Sequence, residues 1–192
     1  MGTLIAMVSF GCGQTADPLA TNRDAILWSN VSDSSEDAVV KLVATHAIQT
    51  QNCSGVLVAP NLVLTARHCI ADFTAGDFTC NADGDRISGP GGETGTAVAA
   101  NKVVVQVGLQ PAYKAKDAIG VEIFELPTTT ICRNDIALVR LDRNLTDHPF
   151  PIRLDRNSTR GELIRGIGYG TYDATNTGMR HTKSDLPVTK VG

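Results

Sequence analysis

The chain has 192 residues, 42% of them apolar and 19% charged, which is enough apolar material for a sizeable core and too little charge for a disordered segment. The formal net charge is −3 and Lys and Arg are scattered singly, so the basic patch that nucleic-acid binding needs is missing and nucleic acid is not an expected partner. No apolar run approaches the roughly 20 residues of a membrane-spanning helix.

In chain order, the first feature is Leu4–Gly11 (LIAMVSFG), a short apolar stretch followed by Cys12 and then a polar run from Thr15 to Asp37. Such a stretch reads as an export signal, and Gly11-Cys12 resembles the lipobox of bacterial lipoproteins, in which the cysteine is lipidated. The expected organisation is an export signal over 1–12, a polar linker or propeptide-like segment over 13–37, and a folded domain over 38–192. A lipidated Cys12 is the one expected route to a membrane. The expected location is extracellular, periplasmic or anchored at the cell envelope. The five cysteines are Cys12, Cys53, Cys69, Cys80 and Cys132; setting Cys12 aside leaves an even four, and two disulfides suit an oxidising compartment. No pair has CxxC spacing, so neither a zinc site nor a redox motif is expected.

Beyond residue 37, turn residues punctuate short β-branched runs, and no segment sustains a 3.6-residue apolar period. The runs predict strands at Val39–Thr45, Gly55–Val58, Leu62–Thr65, Val103–Val107, Val121–Leu126, Ile136–Leu141 and Glu162–Gly168, with Ala59-Pro60-Asn61 as a tight turn between the second and third. An all-β fold follows, and without crossover helices a closed barrel or sandwich is expected over a parallel sheet. Asp72–Asn101 and Gln110–Ile119 read as long loops. Asp83-Gly84-Asp85 in the first reads as a solvated turn, because the other oxygen ligands of a calcium loop are missing.

The chemistry concentrates in Cys53–Cys69, CSGVLVAPNLVLTARHC, and in Asn134-Asp135-Ile136-Ala137-Leu138. Both resemble the chymotrypsin/trypsin family of serine proteases. The resemblance implies a disulfide between Cys53 and Cys69 that restrains the turn bearing a general base, His68. It implies too that Asp135 orients that histidine and fixes its tautomer, in the His-then-Asp order of the chymotrypsin type. Arg67 stands where the family usually has Ala. Ile136 and Leu138 are expected to bury the Asp135 carboxylate. Cys80 and Cys132 are left as the second pair. Gly166-Ile167-Gly168-Tyr169-Gly170 is similar to the glycine-aromatic-glycine segment that opens the family's second barrel, with Tyr169 in place of Trp. His46, His148 and His181 have no motif around them and read as surface or structural residues.

The family's nucleophile segment, Gly-Asp-Ser-Gly-Gly, does not occur in these residues, and Ser184-Asp185 lacks its flanking glycines. The family's activation terminus has only a partial counterpart in Ala25-Ile26-Leu27-Trp28-Ser29, where Trp28 and Ser29 replace two glycines. What the resemblance implies is thus a trypsin-like double β-barrel with the first barrel complete and the second only begun, a peptidase domain incomplete at its C-terminus. The implied function is serine-type endopeptidase action on protein or peptide substrates without a cofactor or metal, in a chain inactive by itself. The alternative is a non-catalytic exported binding module on the same fold.

Overall fold

The β-branched runs pair into strands in which every second side chain turns inward. The computed structural model describes residues 29–81, 83–145, 148–172 and 176–189; Cys12, the export segment and the Ile26 activation position lie outside them. In chain order the strands are β1 (Asn30–Val31), β2 (Val39–Thr45), β3 (Thr50–Ala59), β4 (Leu62–Thr65), β5 (Ala71–Phe73), β6 (Thr79–Cys80), β7 (Arg86–Ser88), β8 (Thr94–Ala97), β9 (Val103–Gln106), β10 (Ala118–Glu125), β11 (Ala137–Leu141), β12 (Leu163–Gly168) and β13 (His181–Pro187). The helical elements among the described residues are 3₁₀ turns of three residues at Ser34–Glu36, Arg67–Cys69 and Ala100–Lys102. None of the helices there is long and apolar enough to cross a membrane.

Six strands close into an antiparallel barrel in the order β10-β11-β4-β3-β2-β9. Closure leaves no exposed strand edge in this sheet. Its interior is filled by alternate residues, Val40, Leu42 and Ala44 from β2, Val103 and Val105 from β9, and Ala137, Val139 and Leu141 from β11, all buried. Gly55 on β3 is set by close approach: a Cβ there would lie 2.4 Å from Leu42 Cδ1 and 2.6 Å from Val63 Cγ1. The β3–β4 hairpin turns at Pro60-Asn61, as the sequence predicts.

The segment read as one long loop after residue 72 carries two small sheets instead, β5 with β8 and β6 with β7. Their strands are two to four residues long, too short to show an alternating pattern. The turn between β6 and β7 is built by Asn81, whose Oδ1 accepts the backbone N–H groups of Asp83 and Asp85.

A second unit, the three-stranded sheet β1-β13-β12, packs against the barrel. Residues 29–37, read from the sequence as part of a polar linker, contribute β1 and a 3₁₀ turn whose Glu36 is buried. Two side chains pin this sheet to the barrel. The Tyr169 hydroxyl reaches the carbonyls of Gly108 at 2.6 Å and Val39 at 3.3 Å; its one proton serves the nearer. Arg180, fully buried, donates to Ser32 Oγ and to the carbonyls of Val39 and Asp33, and pairs with Asp37 Oδ1 at 2.6 Å.

Candidate active site

Strand register brings the two halves of the site together. Ala137 on β11 pairs with Thr65 on β4, and the strands are antiparallel, so stepping back from Ala137 to Asp135 runs alongside the chain stepping forward from Thr65 into the Arg67–Cys69 turn. Asp135 and His68, 67 residues apart in sequence, meet there. One carboxylate oxygen of Asp135 accepts the His68 backbone N–H at 2.9 Å, and the other is 2.8 Å from His68 Nδ1. A carboxylate can only accept, so Nδ1 carries the proton and Nε2 is the basic nitrogen.

The turn is held from three sides. Cys69 is disulfide-bonded to Cys53 on β3, and Cys80 to Cys132 just before Asp135; both pairings are those expected. By loop entropy, bridges at sequence separations of 16 and 52 are worth about 3 and about 4 kcal/mol. Arg67, next to the histidine, turns the opposite way into the protein. It is buried and its Nε lies 2.7 Å from Glu125 Oε2, while Nη1 donates to Thr128 Oγ1 at 2.7 Å. Adjacent residues of a tight turn point in different directions, which is why a bulky cation is accommodated there without displacing His68. The Phe73 ring, tilted with its centroid 5.7 Å from that of His68, covers one side of the imidazole.

The Asp135 environment corrects one expectation. Ile136, expected to lie buried over the carboxylate, is itself 48% exposed, because the strand alternation puts Ala137 and Val139 inside instead. Asp135 is partly buried. Burial pushes its carboxyl upward, but hydrogen bonds from the His68 ring and backbone, the attraction of His68 and the Arg67 backbone outweigh this and hold it below the ordinary 3.8. A carboxylate that stays ionised is what an orienting group beside an imidazole requires.

His46 pairs with Asp72 at 3.1 Å, and His181 stacks on Tyr172 with centroids 3.8 Å apart; neither lines the cavity beside His68. Ser184 is exposed on β13. Ligand atoms of Cys53, His68 and Cys69 lie within 4.8 Å of one another, but both sulfurs are committed to the disulfide and offer no thiolate to a metal. The sequence reading missed Arg67's partners Glu125 and Thr128, the Arg180 anchor, and Lys41 and Ser54. These last two line a cavity of about 600 Å³ together with His68. Single polar residues within strands and loops carry no spacing signal that marks them.

A family model described as Trypsin matches residues 29–191. Solved structures with the same fold include GrC, 18% identical with a TM-score of 0.59 over 84% of this chain and 64% of that one. A scabies mite inactivated protease paralogue, S-I1, is 16% identical with a TM-score of 0.58 over 85% of this chain and 66% of that one. HL collagenase is 21% identical with a TM-score of 0.52 over 83% of this chain and 62% of that one. The chain thus spans less than two thirds of the length of each. No curated protein matches the sequence.

Proposed function

The chain belongs to the trypsin family, and on that premise we propose that it carries the general-base half of a serine-type endopeptidase site, acting on protein or peptide substrates. The observation that supports this is the double contact of Asp135 with the backbone and ring of His68. In the proposed mechanism Nε2 of His68 takes the proton of a serine hydroxyl as it attacks the scissile carbonyl and returns it to the leaving amine. Asp135 keeps the ring in register and stabilises the imidazolium. The reaction needs no cofactor or metal.

No serine of residues 1–192 stands in Gly-Asp-Ser-Gly-Gly. The proposed nucleophile and its oxyanion donors therefore come from outside these residues, and residues 1–192 alone turn over no substrate. A recombinant 1–192 chain and its His68→Ala variant should hydrolyse a peptide ester equally poorly; a His68-dependent rate would show a nucleophile within this stretch. In a longer polypeptide that adds a glycine-flanked serine segment, His68→Ala should lower kcat by about 10⁴–10⁶. An unchanged kcat would remove His68 from the mechanism.

The second reading is a non-catalytic binding module on this fold, favoured by the absent nucleophile motif and by the likeness to a structure named as an inactivated protease. Against it stands the intact His68–Asp135 pair, which such a module has no chemical reason to keep. Export fits both readings, since two disulfides require an oxidising compartment to persist. Cys12 is the proposed lipid anchor; mass spectrometry of the mature N-terminus tests it, and an unmodified Cys12 would count against it.

A further inference from the structure

Asp135 is delivered by the connection between the end of β10 at Glu125 and the start of β11 at Ala137, and these two residues are register partners. Ala137 pairs in turn with Thr65 at the end of β4. Three strand ends therefore lie side by side where the His68 turn and the 126–136 connection leave the barrel, and the pairing of His68 with Asp135 depends on how those two segments are seated against each other.

Arg67 is the cation set into that junction. Its side chain is 4% exposed, and its Nε lies 2.7 Å from Glu125 Oε2 at the first foot of the connection. Nη1 donates to Thr128 Oγ1 at 2.7 Å, and the Thr128 hydroxyl donates to the Thr130 carbonyl at 3.1 Å. Thr130 Oγ1 accepts the Cys132 N–H at 3.2 Å, and the Cys132 carbonyl accepts the Asn134 side-chain amide at 2.8 Å. Each residue in this series bonds to the one two places along, and the series ends beside Asp135. The backbone N–H of Arg67 is itself hydrogen-bonded to the Asp135 carboxylate.

A buried ion pair adds little net stability, because desolvating both charges offsets their attraction, and its best-attested use is to fix a register. The guanidinium suits that use. It is planar and presents its donors in fixed directions, so with Nε on Glu125 and Nη1 on Thr128 one rigid group sets the spacing between the strand end and the connection. His68 follows Arg67 in the same three-residue turn.

We infer that Arg67 is a positioning residue that holds Asp135 against His68 by bracing both segments at once, the turn through its own backbone and the 126–136 connection through Glu125 and Thr128. This rests on the reading of His68 and Asp135 as base and orienter, and adds the residue on which the geometry of that pair depends. Arg67 acts through the pair and not on the reacting atoms.

Proton NMR of the protein tests this through the His68 Nδ1–H, a resonance identified by its loss in His68→Ala. Its exchange with water is read relative to that of the Val105 amide, on a residue buried in β9, so that lost pairing is not mistaken for lost folding. In Arg67→Met the relative rate should rise about tenfold or more, the loss expected when a hydrogen bond to a charged group is no longer held in place. Thr128→Val removes the linking hydroxyl with no change of charge and should do the same, which keeps the test decisive if Arg67→Met does not fold. Thr128→Ser keeps the hydroxyl and should keep the natural rate. An unchanged relative rate in either Arg67→Met or Thr128→Val, or a rise in Thr128→Ser equal to that in Thr128→Val, would overturn the inference. Failure of the general-base reading would show elsewhere, as a kcat that does not depend on His68, and leaves this exchange measurement unaffected.

Discussion

Asp135 receives two N–H groups from one residue, the backbone and the ring of His68. The same carboxylate therefore fixes both where the turn sits and which way the imidazole faces. Its pH dependence follows. Because the folded protein holds Asp135 below its ordinary 3.8, the ionised group stabilises the fold at pH above that value, and the contribution is lost as pH falls through the lowered one. The difference in melting temperature between the natural protein and Asp135→Asn should therefore be larger near neutrality than at about pH 2. Other depressed carboxylates, such as Asp33 and Glu162, are present in both proteins and cancel. A difference that does not change with pH would mean that Asp135 contributes only by shape. Arg67 shows the limit of reading residues from motifs. Set against the family pattern it is only a departure, whereas its buried contacts with Glu125 and Thr128 tie the His68 turn to the end of β10.

The β3–β4 hairpin is the element that presents the histidine, and it was legible because its signals are local. Leu62–Thr65 and Val39–Thr45 coincide with the expected strands, since each is a short run rich in β-branched and aliphatic residues. β3 starts five residues earlier than expected, at Thr50, where polar Thr, Gln and Asn conceal a strand that is held by pairing with β2. Replacing Cys53 and Cys69 by Ala should lower stability by about 3 kcal/mol, measured by urea unfolding under non-reducing conditions. Beyond stability, the His68 amide should exchange with deuterium faster in that variant. Unchanged protection at His68 would show that Asp135 and Arg67 hold the turn without the bridge. The strands β5–β8 were not legible at all, because elements of two to four residues are set by their partners and by the Cys80–Cys132 bridge.

At the scale of the whole molecule, the closed barrel and the three-stranded sheet are joined through few side chains, and Arg180 is central among them. It is fully buried and bonds to Ser32, Asp33, Asp37 and Val39. Arg180→Met should cost about 3 kcal/mol or more, from the buried hydroxyl and carbonyls left without a donor. Hydrogen exchange should report the loss first in β1, β12 and β13, with the barrel strands retaining their protection. Uniform loss across the barrel would mean that the two units unfold as one.

By itself the sequence determined the all-β class and the main barrel strands, because each is written in local alternation; a short motif of fixed spacing singled out His68 and Asp135, and the cysteine pairs came from the family resemblance and from the two cysteines it left over. Only the tertiary structure decided that residues 29–37 belong to the folded unit, that Ile136 faces outward, that Arg67 and Arg180 are buried ions, and that Lys41 faces a cavity. These depend on partners distant along the chain. Which residue meets which across a closed barrel is a matter of register and closure, and no window of neighbouring residues carries it.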